Sequence, residues 1–404
     1  MPDFASIFTN LQPYLGYLIF GVLVALLITP LIGKLALYIG AVDLPAHLRN
    51  RGDKTTERRI HDTITPKLAG LVLATPVILI LLFNNGLHNI PWGVIAGGAL
   101  MLVVGIIDDK FELSGKQQLA MQAVAAALVV LSGLSISFVQ VGGIRLDFAQ
   151  FSTSLGLDPL LIPGIITILW IVALINFIGW SDGVDGVHGA LTIIATLTMW
   201  FIATRVEGLP SSILVLVALI LGSNLGFYPY NLFPAKIFYA GSGTNVNGFF
   251  LAVGSILVTA KLETAVILLG LPIFDALLVI ALRTKANPEV LKNPLKILAI
   301  SDRNHLHHRL LDVGYSKPTV LLIELSLMLI LCFIALFVSG LESATALPLV
   351  GSLTLVVIAF SVISIGKKKA ERIKLQAELE EKSKPQIEVK FVEHKEDSNE
   401  KFTY

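Results

Sequence analysis

Four polar clusters interrupt a very apolar chain, and each carries residue types able to do chemistry. The first is Asp108-Asp109, which closes the run Gly105-Ile106-Ile107. Adjacent carboxylates at the end of an apolar run repel one another and lose solvation, a cost that a proton or a cation such as Mg2+ relieves. A solvated helix end is the plainer alternative. The second runs from Asn176 through Gly179 to Asp182-Gly183-Val184-Asp185-Gly186-Val187-His188-Gly189. Two Asp-Gly pairs three residues apart predict a tight turn with both carboxylates facing one mouth, where glycines let a ligand approach the backbone. The third joins Asn231, Pro234, Lys236 and Phe238 to Gly241-Ser242-Gly243-Thr244-Asn245-Val246-Asn247-Gly248. It is either a flexible loop with a helix cap or a loop whose N–H groups cradle phosphate beside Lys236. The fourth, Ser301 to Arg309, packs His305, His307, His308, Arg303 and Arg309 into nine residues. No cysteine accompanies the histidines, so an anion clamp fits better than zinc, with a lipid-binding basic patch as the alternative. Carboxylates for a metal and cations for phosphate together describe phosphoryl transfer.

The elements that carry these clusters are apolar. The 404 residues are 54% hydrophobic and only 15% charged, with a mean hydropathy of +0.78; soluble domains carry about 25% charged residues. The net charge of +1 gives no reason to expect a nucleic acid, and the single cysteine, Cys332, excludes an intramolecular disulfide. Spanning helices need roughly 20 apolar residues. The predicted fold is an all-α polytopic membrane protein with about eleven transmembrane helices, near 15–38, 67–84, 92–107, 117–134, 161–178, 187–204, 211–227, 246–260, 262–282, 318–340 and 345–366. The eighth, with its Gly-rich opening, is open to reading as a broken helix lining a cavity. The first lacks a basic leader and is expected to stay as a span.

Lys and Arg set the orientation. Arg49, Arg51, Lys54, Arg58 and Arg59 lie in one connection, Arg283 to Lys317 in another, and Lys367-Lys368-Lys369 follows the last span. Eleven spans put all three on the cytoplasmic side, with the N-terminus outside and the C-terminus inside. All four clusters then face the cytoplasm. Residues 136–150 alternate around Gly142-Gly143 and predict a short external β-hairpin. Residues 1–366 read as one transmembrane domain and 367–404 as a charged, solvated tail. Two acids fall inside spans: Asp275 is expected to face the bundle interior, and Glu324 to hydrogen-bond a neighbouring helix.

Taken in order, these clusters resemble the polyprenyl-phosphate N-acetylhexosamine-1-phosphate transferases, glycosyltransferase family 4, over about residues 15–340. The likeness is carried by Arg58-Arg59-Ile60-His61 with Thr65-Pro66-Lys67-Leu68-Ala69-Gly70, by Asp108-Asp109 with Leu113-Ser114 and Gln122, and by Asp182-Gly183-Val184-Asp185-Gly186. It continues through Asn231 with Pro234-Ala235-Lys236, Leu271-Pro272-Ile273-Phe274-Asp275, and His305-Leu306-His307-His308-Arg309-Leu310. The last is similar to the N-acetylglucosamine branch rather than the muramoyl-pentapeptide branch. The resemblance implies transfer of N-acetylhexosamine-1-phosphate from a UDP-sugar to undecaprenyl phosphate, releasing UMP, with Mg2+ or Mn2+, at the bacterial inner membrane in cell-envelope polysaccharide synthesis, lipopolysaccharide included. It implies Asp108, Asp109 and Asp182 as catalytic and metal residues. It implies Asn176, Asp185, Asn231, Phe238, Lys116, His305, His307, His308 and Arg309 as substrate-binding. The implied partners are a UDP-N-acetylhexosamine, polyprenyl phosphate and the lipid bilayer, with a homodimer allowed.

Three positions depart from the family pattern: Gly179 replaces an asparagine, Gly241 replaces an acid, and Gln118 stands where a lysine is usual, with Lys116 nearby. The alternative to an active transferase is therefore an impaired relative that binds polyprenyl phosphate or a nucleotide sugar as a scaffold or regulator.

Overall fold

A computed structural model describes residues 9–45, 63–83, 85–141, 144–258, 262–288 and 304–339. The expected span 345–366, the basic residues Arg49 to Arg59 with His61, and the tail lie outside these residues. Thirteen helices are followed here: α1 (Leu15–Ile39), α2 (Ala69–Phe83), α3 (Trp92–Phe111), α4 (Gly115–Leu131), α5 (Phe148–Ser154), α6 (Leu161–Gly179), α7 (Val187–Ala203), α8 (Ser211–Asn231), α9 (Ala240–Leu257), α10 (Leu262–Leu268), α11 (Gly270–Ala286), α12 (Leu306–Val313) and α13 (Lys317–Val338). Among the described residues four segments are long and apolar enough to cross a membrane: Thr9–Ile39, Leu161–Gly179, Ser211–Asn231 and Lys317–Val338. The expected hairpin forms, with β3 (Phe138–Val141) antiparallel to β4 (Ile144–Asp147). A second pair, β1 (Val42–Asp43) with β2 (Thr65–Pro66), carries no sequence signal because each strand is two residues long.

The expected ninth span is two helices. It breaks at Leu269, between α10 and α11. Pro272 is the physical reason: it has no N–H to return to the carbonyl of Leu268, so the helix cannot run through that turn.

The eighth segment is neither loop nor broken helix. It begins earlier than expected and runs unbroken as α9, which packs against α2, α3, α6 and α7. Its polar residues are affordable because protein, not lipid, surrounds them. Asn245 accepts from Gln122 (3.3 Å), Asn247 pairs with Asn224 (2.9 and 3.1 Å), and Ser255 Oγ accepts from Trp170 Nε1 (3.0 Å).

Small residues set the helix spacings. A Cβ on Gly222 or Gly226 of α8 would overlap backbone oxygens of Leu18 or Val22 in α1, and one on Gly105 of α3 would overlap Ser242 of α9. These contacts are the small-residue packing of membrane helices. The last of them brings the end of α3 against the start of α9.

Candidate functional site

Three carboxylates converge where α9 begins. The apolar run of α3 ends at Ile107, so Asp108 and Asp109 emerge at its last turn. Gly105 lets that turn touch Ser242. Asp109 is 3% exposed and its oxygens are spent on backbone. Oδ1 accepts from Gly241 N–H (2.8 Å), and Oδ2 accepts from Leu68 N–H (3.1 Å) and Ser242 N–H (3.3 Å). Asp182 Oδ2 accepts from Ala240 N–H (3.0 Å). The first-turn amides of α9, which a helix leaves without internal partners, are thus capped by acids from two other segments. The phosphate-cradle reading of the Gly241–Gly248 stretch is corrected here: the segment is helix, and its leading amides already hold carboxylates.

Asp108 is placed differently. Oδ1 accepts from Leu113 N–H and Gln118 Nε2–H, both at 2.8 Å. Oδ2 receives no hydrogen bond among the described residues and stands over Gly241, where a Cβ would overlap it. The Asp108 carboxylate thus stands where a side chain at 241 would begin. Gly179 is the opposite case. A Cβ there would meet only Thr244, at 3.8 Å, so a side chain fits and points at the start of α9.

Burial pushes the carboxyl of Asp109 up to about 6, against its hydrogen bonds from Ser242 and Leu68 and the charge of Lys67. Burial also raises Asp108, opposed by the Leu113 amide, Lys67 and Gln118. Lys67, 7% exposed, is the cation that both acids feel. It is not among the site residues expected from the sequence. Its signal was a lysine opening an apolar helix. Backbone strain gathers here too: Leu68 (φ 75°), Glu112 (φ 52°) and Ala240 (φ 49°) have left-handed conformations that non-glycine residues rarely adopt. Two of them donate their amides to Asp109 and Asp182. Strain of ~1–3 kcal/mol per residue is tolerated where surrounding structure over-determines it, and such sites cluster at active centres.

Asp185 and Asn231 brace the site. Asp185 accepts from Ala235 N–H (2.9 Å), while Asn231 accepts from Gly186 N–H (3.1 Å) and donates to Ile237 O (3.1 Å). Both are buried. The two carboxylates of the Asp-Gly turn thus reach different points, Asp185 the segment joining α8 to α9 and Asp182 the first residue of α9, not one open mouth. Phe238 is half-buried, with its N–H on Pro66 O (2.9 Å). Asn176 donates to Gln122 Oε1 (2.7 Å). Lys116 is exposed on α4 and forms no ion pair among the described residues.

The histidine segment closes over the Asp-Gly turn. Asp275 in α11 accepts from Leu306 N–H (2.8 Å) and meets His305 Nδ1 (2.8 Å), so it caps α12 from another helix. His305, His307 and His308 are all buried, with Arg309 half-buried beside them. Trp180 packs on His305 with ring centroids 5.3 Å apart, and buried Arg283 lies over Trp180 at 5.2 Å. A Cβ at Gly183 would overlap His307 Nε2. Gly183→Ala should lower the melting temperature by several degrees, since overpacking costs about 1–3 kcal/mol. An unchanged thermal unfolding curve in detergent would show that the His307 ring yields freely.

Among the described residues no three His, Cys, Asp or Glu form a metal-binding group, so no all-protein cage is present. Mg2+ usually asks for less, one or two carboxylates with water and phosphate completing its octahedron. Asp108 Oδ2, over Gly241, and Asp182, at Ala240, suit that demand. Asp109, also implied as a metal residue by the family resemblance, accepts from four donors counting the Ser242 hydroxyl and so holds the start of α9 in place.

Comparison with known proteins bears on the family of the chain. Residues 91–259, which run from α3 to α9 and hold all the acids above except Asp275, match the sequence model of glycosyl transferase family 4. The chain is 33% identical over 315 residues to a probable undecaprenyl-phosphate N-acetylglucosaminyl 1-phosphate transferase of Bacillus subtilis, covering 76% of this chain and 80% of that one. It is 27% identical over 304 residues to a decaprenyl-phosphate N-acetylglucosaminephosphotransferase of Mycobacterium tuberculosis (66% and 70% covered). It is 25% identical over 336 residues to a phospho-N-acetylmuramoyl-pentapeptide-transferase of Clostridium beijerinckii (80% and 94% covered).

Proposed function

Since this chain belongs to glycosyl transferase family 4, the polyprenyl-phosphate N-acetylhexosamine-1-phosphate transferases, we propose that it transfers N-acetylglucosamine-1-phosphate from UDP-N-acetylglucosamine to undecaprenyl phosphate and releases UMP. The observation that carries this reading is the meeting of Asp108 and Asp182 at consecutive residues of the α9 start, Ala240 and Gly241. The missing acid at 241 favours the impaired reading by sequence. Its place is taken by the Asp108 carboxylate, so negative charge is kept at that point and the active reading is preferred.

The reaction forms a bond from an acceptor phosphate oxygen to the sugar-bearing phosphorus and breaks the bond to UMP. The acceptor is already ionised, so the protein's task is positioning and charge management rather than proton removal. Asp108 and Asp182 would hold Mg2+, which when bound neutralises phosphate charge. Lys67 lowers the cost of keeping Asp108 ionised. Asp109 and the strained turns at Leu68 and Ala240 fix the start of α9, so that the two reacting-side acids keep their spacing. The histidine segment, with Arg309, covers the Asp182 turn and supplies N–H donors suited to diphosphate oxygens. The Lys/Arg distribution supports placing this end of the bundle on the cytoplasmic face of a bacterial inner membrane, where nucleotide sugars are made.

Purified protein given UDP-N-acetylglucosamine, undecaprenyl phosphate and Mg2+ should release UMP. EDTA should cut that release by about 100-fold or more, and added Mg2+ or Mn2+ should restore it. Release no greater than from an Asp108→Asn control would overturn the proposal. UDP-N-acetylgalactosamine in place of the donor reads out the sugar preference.

A further inference from the structure

The acid inside α13, Glu324, faces a histidine of α12 across a gap. Glu324 was expected to hydrogen-bond a neighbouring helix. It is 5% exposed, and among the described residues its Oε1 makes no hydrogen bond at all. An idle carboxylate oxygen inside an apolar bundle is costly. What faces it is His307: Nδ1 lies 4.0 Å from Glu324 Oε1. That is too long for a hydrogen bond, and a polar gap of this length is where a bridging water belongs. A cavity of about 20 Å3 lies there, lined by Glu324, His307, Asp275 and Ser181 together with apolar residues of α6, α7 and α11. One water needs roughly 10–15 Å3 and two to four polar partners, and this cavity offers both.

The imidazole has two ends. Nδ1 faces Glu324, and Nε2 presses against Gly183, so closely that no Cβ fits between them. The ring is therefore a strut between α13 and the turn that carries Asp182. It lies parallel to the His305 ring, with centroids 5.8 Å apart, and His305 is itself tied to Asp275. We propose that Glu324 is a positioning residue for the transfer reaction: through one water in this cavity it fixes His307, and through His307 the Asp182 turn. In chemical terms the bridge is His307 Nδ1–H donating to water and water donating to the idle Glu324 carboxyl oxygen. A hydrogen-bonding group behind a histidine is a common way to set which nitrogen carries the proton and how the ring is turned.

This role rests on the transferase reading, so its test has one arm that needs no turnover. Thermal unfolding of the full chain in detergent is measured for Glu324→Gln, His307→Asn and the double variant. If the two groups act together, the double variant melts no lower than the worse single one; losses that simply add would overturn the proposal. In the second arm, Glu324→Leu should lower kcat for UMP release about 10- to 100-fold with KM for the donor nearly unchanged. Glu324→Gln, whose amide oxygen can still accept from the water, should recover most of that rate. Equal losses in Gln and Leu, or a loss confined to KM, would also overturn it. A wild-type protein that melts cooperatively yet releases no UMP would sink the transferase reading alone and leave the unfolding cycle to judge Glu324.

Discussion

Asp109→Ala should cost on the order of 3–5 kcal/mol of stability and lower the melting temperature by about 10 °C. The number follows from the donors it would strand. Leu68, Gly241 and Ser242 all give their backbone N–H groups to this carboxylate, in a site only 3% exposed. Leaving a buried donor unpaired costs about 1–3 kcal/mol, and three are left at once. The strain at Leu68 adds to the loss, because its left-handed backbone is held partly by that bond. Asp109→Asn should be nearly as harmful: one end of an amide accepts as before, but its NH2 would face N–H groups. Turnover would fall as well, through displacement of α9. The diagnostic result is thermal unfolding followed by circular dichroism; a melting temperature within 2 °C of wild type would show that Asp109 does not hold the α9 start.

That Asp108 and Asp109 have separate tasks is not legible in the sequence. Both are aspartates at the end of one apolar run, and composition predicts only that such a pair is costly. The separation is made by partners far along the chain, at residues 68 and 241–242. The same holds for Asp275. An acid within a span predicts a bundle-facing side chain, but its bond to the His305–Leu306 backbone and ring depends on where α12 returns. What the sequence did carry is periodic or compositional: the apolar runs, the hairpin around residues 142–143, the tight Asp-Gly turn. The misreadings come from context. Gly241–Gly248 looks like a loop because glycine and asparagine are poor helix formers, yet α9 is helical because packing on four sides outweighs propensity. The ninth run looks continuous by hydropathy, which does not register the missing N–H of Pro272.

Asp108→Asn should give the opposite phenotype: UMP release reduced about 1000-fold with the melting temperature within a few degrees of wild type. The asparagine carbonyl can keep both bonds now made by Oδ1, from Leu113 N–H and Gln118 Nε2–H. The new NH2 takes the position of Oδ2, which has no hydrogen-bond donor to lose among the described residues, so the fold is nearly indifferent. The charge is what disappears. Burial already works against ionising Asp108, and the Lys67 charge and two hydrogen bonds only partly offset it. A carboxylate kept in so unfavourable a place, with one oxygen unspent, is suited to meet positive charge brought by a ligand or ion. With no acid at 241, Asp108 is the side chain that presents an open oxygen at that residue, and among the described residues the other carboxylate at Gly241 is Asp109, whose oxygens already accept backbone N–H groups. The comparison of kcat with KM separates the readings. Loss in kcat with donor KM nearly unchanged places Asp108 in the transfer step, whereas a variant keeping more than a tenth of wild-type kcat would mean that the charge needed at the α9 start comes from Asp182 alone.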